Sequence, residues 1–384
     1  MAVYADYAAT APLLPEAREA LDRVLDAGLG NPSSLHVHGR QARRFLEEAR
    51  ELCARALGAR VEEIVFTSGA TEADNLALVG TMRLGSPGDR LVISAVEHPA
   101  VREAARALEL EGYGVDVLPV DCEGRVDPQD LDRVLSPRTR LVSVMAVNNE
   151  VGTEQPLAEL AARCARAGVP FHSDAVQAPP VRNLRPEALG VQLLSLSGHK
   201  LGGLPGAGLL YVRRGRSLAP LLRGGAQEDG RRAGTPNVPA LVTLGVALER
   251  ASREAAGEAR RLGALRDRLE GALESVPGAV GLGRGAPRAE HVSAWTLQGL
   301  PAEPLLINLD LEGISVSSGS ACSSHSVAPS PVLLAMGRSE AESRGLVRFS
   351  LGWSTRSEDV ERLVEAVPRV VRELRQRSGR EVRS

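Results

Sequence analysis

One lysine, Lys200, stands against 45 arginines in this sequence. At ordinary usage, a soluble chain of this length carries lysines on the order of twenty. Arginine replaces lysine as a charge but not as a primary amine. A lone lysine in an arginine-biased chain therefore marks a position where the amine itself is required. Lys200 sits in Ser197-Gly198-His199-Lys200, just past the apolar run 193–196, with Gly202 and Gly203 close behind. An amine there can form a Schiff base with an aldehyde cofactor. The glycines let the backbone approach a ligand closely, and Ser197 and His199 supply donors suited to a phosphate. The plain alternative is a leftover surface lysine.

Three further loops follow apolar runs and carry matching chemistry. Thr67-Ser-Gly-Ala70-Thr71-Glu72 lies between a strand pattern and a helix pattern. A helix start offers free N–H groups to an anion, although an ordinary capping box around Ser68 explains the same residues. Asp174 and Gln177 follow the run 169–172. A carboxylate there can pair with a protonated pyridine nitrogen, or simply cap a helix. Glu97-His98-Pro99 follows the run 91–94, and its imidazole can stack on a flat cofactor or move protons. Read together, consecutive strand ends of a parallel sheet each present a group that one phosphorylated aldehyde would use.

Farther on, small residues surround Cys322 in Ser317-Ser-Gly-Ser-Ala-Cys322-Ser-Ser-His325, as expected of a loop that delivers a thiol. Cys53 and Cys164 fall on apolar helical faces and read as structural. Cys322 and His325 have the spacing of a metal ligand pair, but no second pair completes a site, so no metal is expected. Arg348, in the apolar run 347–351, can clamp a carboxylate. Among so many arginines, a surface role is the default.

The elements that must hold these groups follow from periodicity. From about Gly39 to Val212, short apolar runs alternate with helical stretches. Such alternation implies parallel strands joined by right-handed crossovers, covered by helices on both faces. Ligands bind at the strand ends of such sheets. After about residue 255 the texture changes to an Arg/Glu-rich helix, strands near 292–297, 314–317 and 347–351, and a last helix from Ser357. The expected fold class is α/β: a large domain with a mostly parallel sheet over 16–255, and a smaller α+β domain from 1–15 and 256–384 carrying the cysteine loop. Net charge is −2 with a pI near 6.4, which gives no case for nucleic acid. No apolar run reaches the ~18 residues of a membrane span. A chain opening without a basic and apolar leader, and with four cysteines, is expected in a reducing cytoplasm.

The chain resembles the cysteine desulfurases of the NifS/IscS type, within the fold-type I pyridoxal phosphate-dependent transferases and their class-V aminotransferase family. Motifs along nearly the whole chain carry the resemblance: Asp6-Tyr-Ala-Ala-Thr10, Gly30-Asn31-Pro-Ser33, Phe66-Thr-Ser-Gly-Ala-Thr-Glu72, Glu97-His98, Val147-Asn-Asn149-Glu-Val-Gly152, His172-Ser-Asp174-Ala-Val-Gln177, Ser197-Gly-His-Lys200, Arg232-Ala-Gly-Thr235, Ser317–Cys322 and Val347-Arg348-Phe-Ser-Leu-Gly352. The resemblance implies that Lys200 bonds the cofactor, pyridoxal 5′-phosphate. It also implies that Asp174 pairs with the ring nitrogen, Gln177 bonds the phenolic oxygen and His98 stacks on the ring. Ala70, Thr71, Ser197 and His199 would hold the phosphate, with Thr235 reaching in from the partner subunit of a homodimer. Asn31, Asn149 and Arg348 would orient the carboxylate of the substrate, L-cysteine, and the cofactor. Cys322 would be the nucleophile, and a sulfur-acceptor protein such as an iron–sulfur scaffold would receive the product sulfur. Trp353 stands where many members have arginine. The implied reaction yields L-alanine and a persulfide. The alternatives are a selenocysteine lyase or aminotransferase on the same fold, and a non-catalytic iron–sulfur assembly scaffold. A dinucleotide site on Gly202–Gly208 is poor, because those glycines precede a strand rather than open a helix.

Overall fold

The computed structural model describes residues 2–319 and 329–381. Cys322 and His325 lie outside the described residues. In chain order the strands are β1 (Val3–Tyr4), β2 (Ile64–Thr67), β3 (Arg90–Ser94), β4 (Gly114–Leu118), β5 (Thr139–Ser143), β6 (Phe171–Asp174), β7 (Leu193–Ser197), β8 (Gly208–Val212), β9 (Ala279–Gly281), β10 (Val292–Leu297), β11 (Ile314–Ser315) and β12 (Leu346–Ser350). Seven of them form the central sheet, in the order β2-β8-β7-β6-β5-β3-β4.

Parallel pairing joins β4 to β3, β3 to β5, β5 to β6 and β6 to β7. The sheet is mostly parallel, as the alternation of strands and helices implies. The exception is β8, which runs antiparallel to both β7 and β2. Only Gly198–Ala207 separates β7 from β8. A parallel crossover needs roughly a dozen residues or more, so the chain turns back instead. This corrects the picture of consecutive strand ends. Chemistry-bearing strands β2 and β7 are separated by β8, and β6 and β3 by β5. The ends of β2, β3, β6 and β7 still emerge on one edge, since those four strands run the same way.

Alternate strand residues feed two cores. Ile64 and Phe66 enter one, with helices Val37–Leu57 and Val238–Glu274; Val65 enters the other, with helices Ala70–Met82 and Pro99–Leu110. Local signals set the helix ends. The His36 side chain accepts from the Gly39 N–H, and Gly58 closes the same helix at φ 63°. Asp127 caps the helix that Pro128 opens, as expected. The helix Val238–Glu274 is 37 residues long and continues through residue 255 without a break.

Beyond it, β9, β10 and β12 form an antiparallel sheet, and β1 pairs in parallel with β11. The N-terminal segment thus packs against the C-terminal part of the chain. Two glycines make close approaches possible. A Cβ on Gly208 would sit 2.5 Å from the Gly69 backbone, so β8 can touch the start of helix Ala70–Met82. At Gly352 a Cβ would lie 1.9 Å from the Tyr7 ring, so the N-terminal segment can lie on the end of β12. Among the described residues, no helix is long and apolar enough to cross a membrane.

Candidate active site

At the common edge of β2, β3, β6 and β7 lies a cavity of about 460 Å³. Lys200, in the one-turn helix Gly198–Lys200 after β7, forms part of its wall. The amine donates to Ala8 O at 2.6 Å and to Ala9 O at 2.7 Å. Gln177 Nε2 donates to the same Ala8 carbonyl at 2.9 Å. The turn at residues 6–9 therefore aligns two groups from different strands. His199 Nδ1 lies 3.0 Å from Thr10 Oγ1, which ties the lysine turn to the same N-terminal segment.

Asp174 ends β6 and is buried. Its Oδ1 accepts from the Val176 N–H at 3.0 Å. Burial pushes its carboxyl above the usual range, while His98 and Lys200 pull it back down. His98 caps the helix Pro99–Leu110, and its Nδ1 accepts from the Ala100 N–H at 3.1 Å. That bond leaves the proton of a neutral imidazole on Nε2. Burial lowers the His98 pKa, against the opposing pull of Asp174.

Helix Ala70–Met82 starts at Gly69, and no side chain caps it. The expected alternative, a capping box, is absent. Ser68 instead gives both its N–H and its hydroxyl to Glu72, which Arg232 holds at 2.8 Å. Ala70 and Thr71 line the cavity with Ser197 and His199. An uncapped helix start facing a cavity fits a phosphate.

Arg348, on β12, is 2 % exposed and so is no surface arginine. It donates from one terminal nitrogen to Asn149 O at 2.6 Å and from the other to Asp6 at 2.8 Å. Its Nε has no partner among the described residues. A guanidinium at a cavity wall fits a carboxylate ligand. Arg348 and Asn149 both line the cavity.

Two expected residues stand apart. Asn31 lies on an exposed loop, where its Oδ1 accepts from the Ser33 N–H at 2.9 Å. It does not line the Lys200 cavity. Thr235 is exposed and borders a different pocket, with Thr67, Ser68 and Arg232. Conversely, three buried residues that sequence reasoning gave no role lie here: Asp74, which lines the cavity, and Glu97 and His172, which do not. Asp74 is fully buried, with His172 Nε2 3.6 Å from its Oδ1 and Ser195 beside it. Burial and the charge of Asp174 raise its pKa well above the usual range. Glu97 accepts from Ser94 at 2.5 Å and from the Met145 N–H at 2.8 Å, and burial pushes it up to about 8. His172 sits between Ser143 and Ser195, and burial lowers it to about 3. Burial thus favours the uncharged forms of Asp74, Glu97 and His172 near Asp174. Polar residues at buried helix and strand positions were the available signal for Asp74 and His172.

The family model described as "Aminotransferase class-V" matches residues 3–363. The chain is 43 % identical over 375 residues to the "Cysteine desulfurase IscS" of Dictyoglomus turgidum, covering 97 % of this chain and 95 % of that one. To the "Cysteine desulfurase NifS" of Azotobacter vinelandii it is 41 % identical over 375 residues, covering 97 % and 93 %. A solved structure described as "NIFS-LIKE PROTEIN" superimposes with a TM-score of 0.90 at 32 % identity, over 97 % of this chain and 99 % of that one.

Proposed function

The chain belongs to the class-V aminotransferase family, and from that premise we propose that it is a cysteine desulfurase, an enzyme that converts L-cysteine to L-alanine and passes the sulfur to its own Cys322. The persulfide would feed iron–sulfur cluster or thio-cofactor assembly through an acceptor protein. One observation carries the reading: the only lysine of the chain lies at the edge where Asp174, His98 and an uncapped helix start converge.

Those groups fit pyridoxal 5′-phosphate. Lys200 supplies the amine for its aldehyde, and Asp174, already desolvated, suits its ring nitrogen. Ala70, Thr71, Ser197 and His199 suit its phosphate, Gln177 its phenolic oxygen, and His98 the face of its ring. When bound, the cofactor supplies an aldehyde for the substrate amine and a ring that accepts an electron pair from the substrate carbon.

The remaining work falls to the chain. Arg348 binds the substrate carboxylate, and the Asp6 and Asn149 contacts keep the guanidinium in place. Asp174 keeps the ring nitrogen protonated. Lys200 removes the Cα proton and holds it as an ammonium between the Ala8 and Ala9 carbonyls. Cys322, as thiolate, attacks the substrate sulfur; a sulfur–sulfur bond forms and the bond from Cβ to sulfur breaks. The electron pair left on Cβ takes a proton and becomes the alanine methyl group. His98 Nε2 is the proposed proton carrier beside that step.

The further parts of the proposal concern assembly. Thr235 lies away from its own chain's cavity, as a residue serving a partner subunit's phosphate site would, so a homodimer is the proposed form. Asn31 is proposed to act on substrate only in that assembly. Residues 16–255 are proposed as the large domain and 1–15 with 256–384 as the small one, sharing the helix Val238–Glu274. A persulfide-forming thiol works under reducing conditions, and the proposed location is the cytoplasm. The test is Cys322→Ala. This variant should keep the visible absorbance of the bound cofactor and lose alanine formation from L-cysteine. Full turnover without Cys322 would sink the mechanism.

A further inference from the structure

Glu228 at φ 50° and Asp229 at φ 54° are, among the described residues, the only non-glycines with positive φ, and Gly230 continues the left-handed turn at φ 76°. A Cβ makes such backbone costly, so it persists only where the surroundings over-determine it. The surroundings here are an edge of the central sheet. β2 is the edge strand, and its outward backbone groups need partners. The Phe66 N–H donates to Glu228 Oε2 at 2.9 Å, and Arg50 Nη1 donates to Ile64 O at 2.6 Å. Arg50 also grips the Glu228 carboxylate with both terminal nitrogens, at 2.6 and 2.8 Å. Its guanidinium carbon lies 4.5 Å from the centre of the Phe66 ring. The Glu228 side chain is 5 % exposed. A bidentate pair of this kind fixes orientation as well as position.

The same segment goes on to Thr235. On the way, the Gly234 N–H donates to Gln227 Oε1 at 3.1 Å, and Arg232 donates to Glu72 at 2.8 Å. A cleft of about 310 Å³ lies here, bordered by Thr67, Ser68, Glu228, Arg232 and Thr235. Thr235 is exposed and borders this cleft rather than the Lys200 cavity. The arm is thus held at Glu228 and Arg232 and leaves Thr235 free to face another molecule.

We propose that Glu228 is a positioning residue for the neighbouring subunit: it ties the left-handed turn to β2 and so fixes the arm that delivers Thr235 to the cofactor phosphate of a second copy of this chain. The inference rests on the reading of Thr235 as serving a homodimer. Glu228 lines no part of its own chain's Lys200 cavity. Its loss should therefore be felt across the interface and not at its own site.

Mixed dimers of the full-length protein test this. One chain carries Lys200→Ala, so borohydride can fix pyridoxal 5′-phosphate on a side chain of the other chain alone. The cofactor is titrated into the apo dimer, and mass spectrometry of the reduced adduct gives the affinity of the lysine-bearing chain. Glu228→Ala in the Lys200→Ala chain should weaken that affinity roughly tenfold or more, because that chain supplies the arm. The same substitution in the lysine-bearing chain should leave the affinity at the wild-type value. Glu228→Gln, which keeps an acceptor for the Phe66 N–H, should act in the same direction and serves where Glu228→Ala fails to assemble. Weakening from the lysine-bearing chain, or from neither chain, would overturn the proposal. Thr235→Ala is run in the same placements. Weakening by Thr235→Ala in the Lys200→Ala chain, with none from Glu228, would overturn the proposal alone. No effect of Thr235→Ala there, or a protein that sediments as a monomer, would strike the homodimer reading of Thr235 and the proposal with it.

Discussion

Two cavities meet at Lys200 and Gln177 and differ in most of their lining: the front one at the strand ends, and a rear one bounded by Tyr7, helix Val238–Glu274, His291 and Trp353. The front one collects charge: Asp174 and Arg348 line it, with Asp74 on its floor and Glu97 beside Asp174. The rear one presents His291, Trp353 and apolar side chains, with Lys200, Arg250, Glu254 and Glu258 as its charged lining. The front is built mostly from groups at or just past the ends of the central strands, with Arg348 reaching in from β12. The rear is built where the N-terminal segment, the long helix and the end of β12 meet. The difference separates a site that can bind charged groups from the packing that backs it. The front can hold a charged cofactor and substrate, whereas the rear backs Lys200 and Gln177 with the N-terminal segment and the long helix.

The largest predicted effect breaks the wall between them. Lys200→Arg keeps the charge but loses the amine, so alanine formation should fall on the order of 10⁴-fold or more. The visible absorbance of a Schiff base should vanish with it, as a spectrum will show. Next comes Arg348→Lys, which leaves the front cavity its charge but not its fork. The KM for L-cysteine should rise about 10–100-fold, with a smaller fall in kcat, read from steady-state kinetics.

A third prediction sets the two regions against each other in pH. Glu97 titrates near 8 when folded against 4.5 for an ordinary glutamate. The native state thus holds a proton that the unfolded chain releases. The associated stability is fully present below about pH 4.5 and is lost as pH rises through 8, on the order of a few kcal/mol. Urea denaturation at pH 5 and at pH 8.5 should show this loss, and Glu97→Gln should reduce it. His291 has the opposite sign. Its folded value of about 3 lies below the ordinary 6.5, so its contribution is present above pH 6.5 and lost as pH falls toward 3. His291→Gln should therefore soften acid destabilisation instead. The smallest effect is Trp353→Ala. Loss of the Arg250 contact and the Pro12 hydrogen bond should cost about 1–2 kcal/mol, seen as a lower Tm. The cofactor spectrum should not move.

Legibility in the sequence follows the same division. Lys200, His98, Asp174, Gln177 and Thr71 each lie close behind a strand with a clear apolar signal, so local pattern located both the strands and the groups. The reversal of β8 was hidden because apolar periodicity says nothing of direction; the ten-residue link from Gly198 to Ala207 was the clue. Arg348 could not be told from 44 other arginines by type. Its burial depends on Asp6, more than 300 residues away, which no local window contains. Asp74 lies inside a helix and His291 just before the strand pattern 292–297, and no motif surrounds either. Their roles come from where distant segments close over them.

The central claim is tested most directly by incubating the purified, cofactor-loaded protein with L-cysteine and measuring alanine together with protein-bound persulfide. Wild type, Cys322→Ala and Lys200→Arg should be run side by side. The account predicts alanine and persulfide from the wild type, visible absorbance without turnover from Cys322→Ala, and neither absorbance nor turnover from Lys200→Arg. Alanine and persulfide produced undiminished by either variant would contradict it.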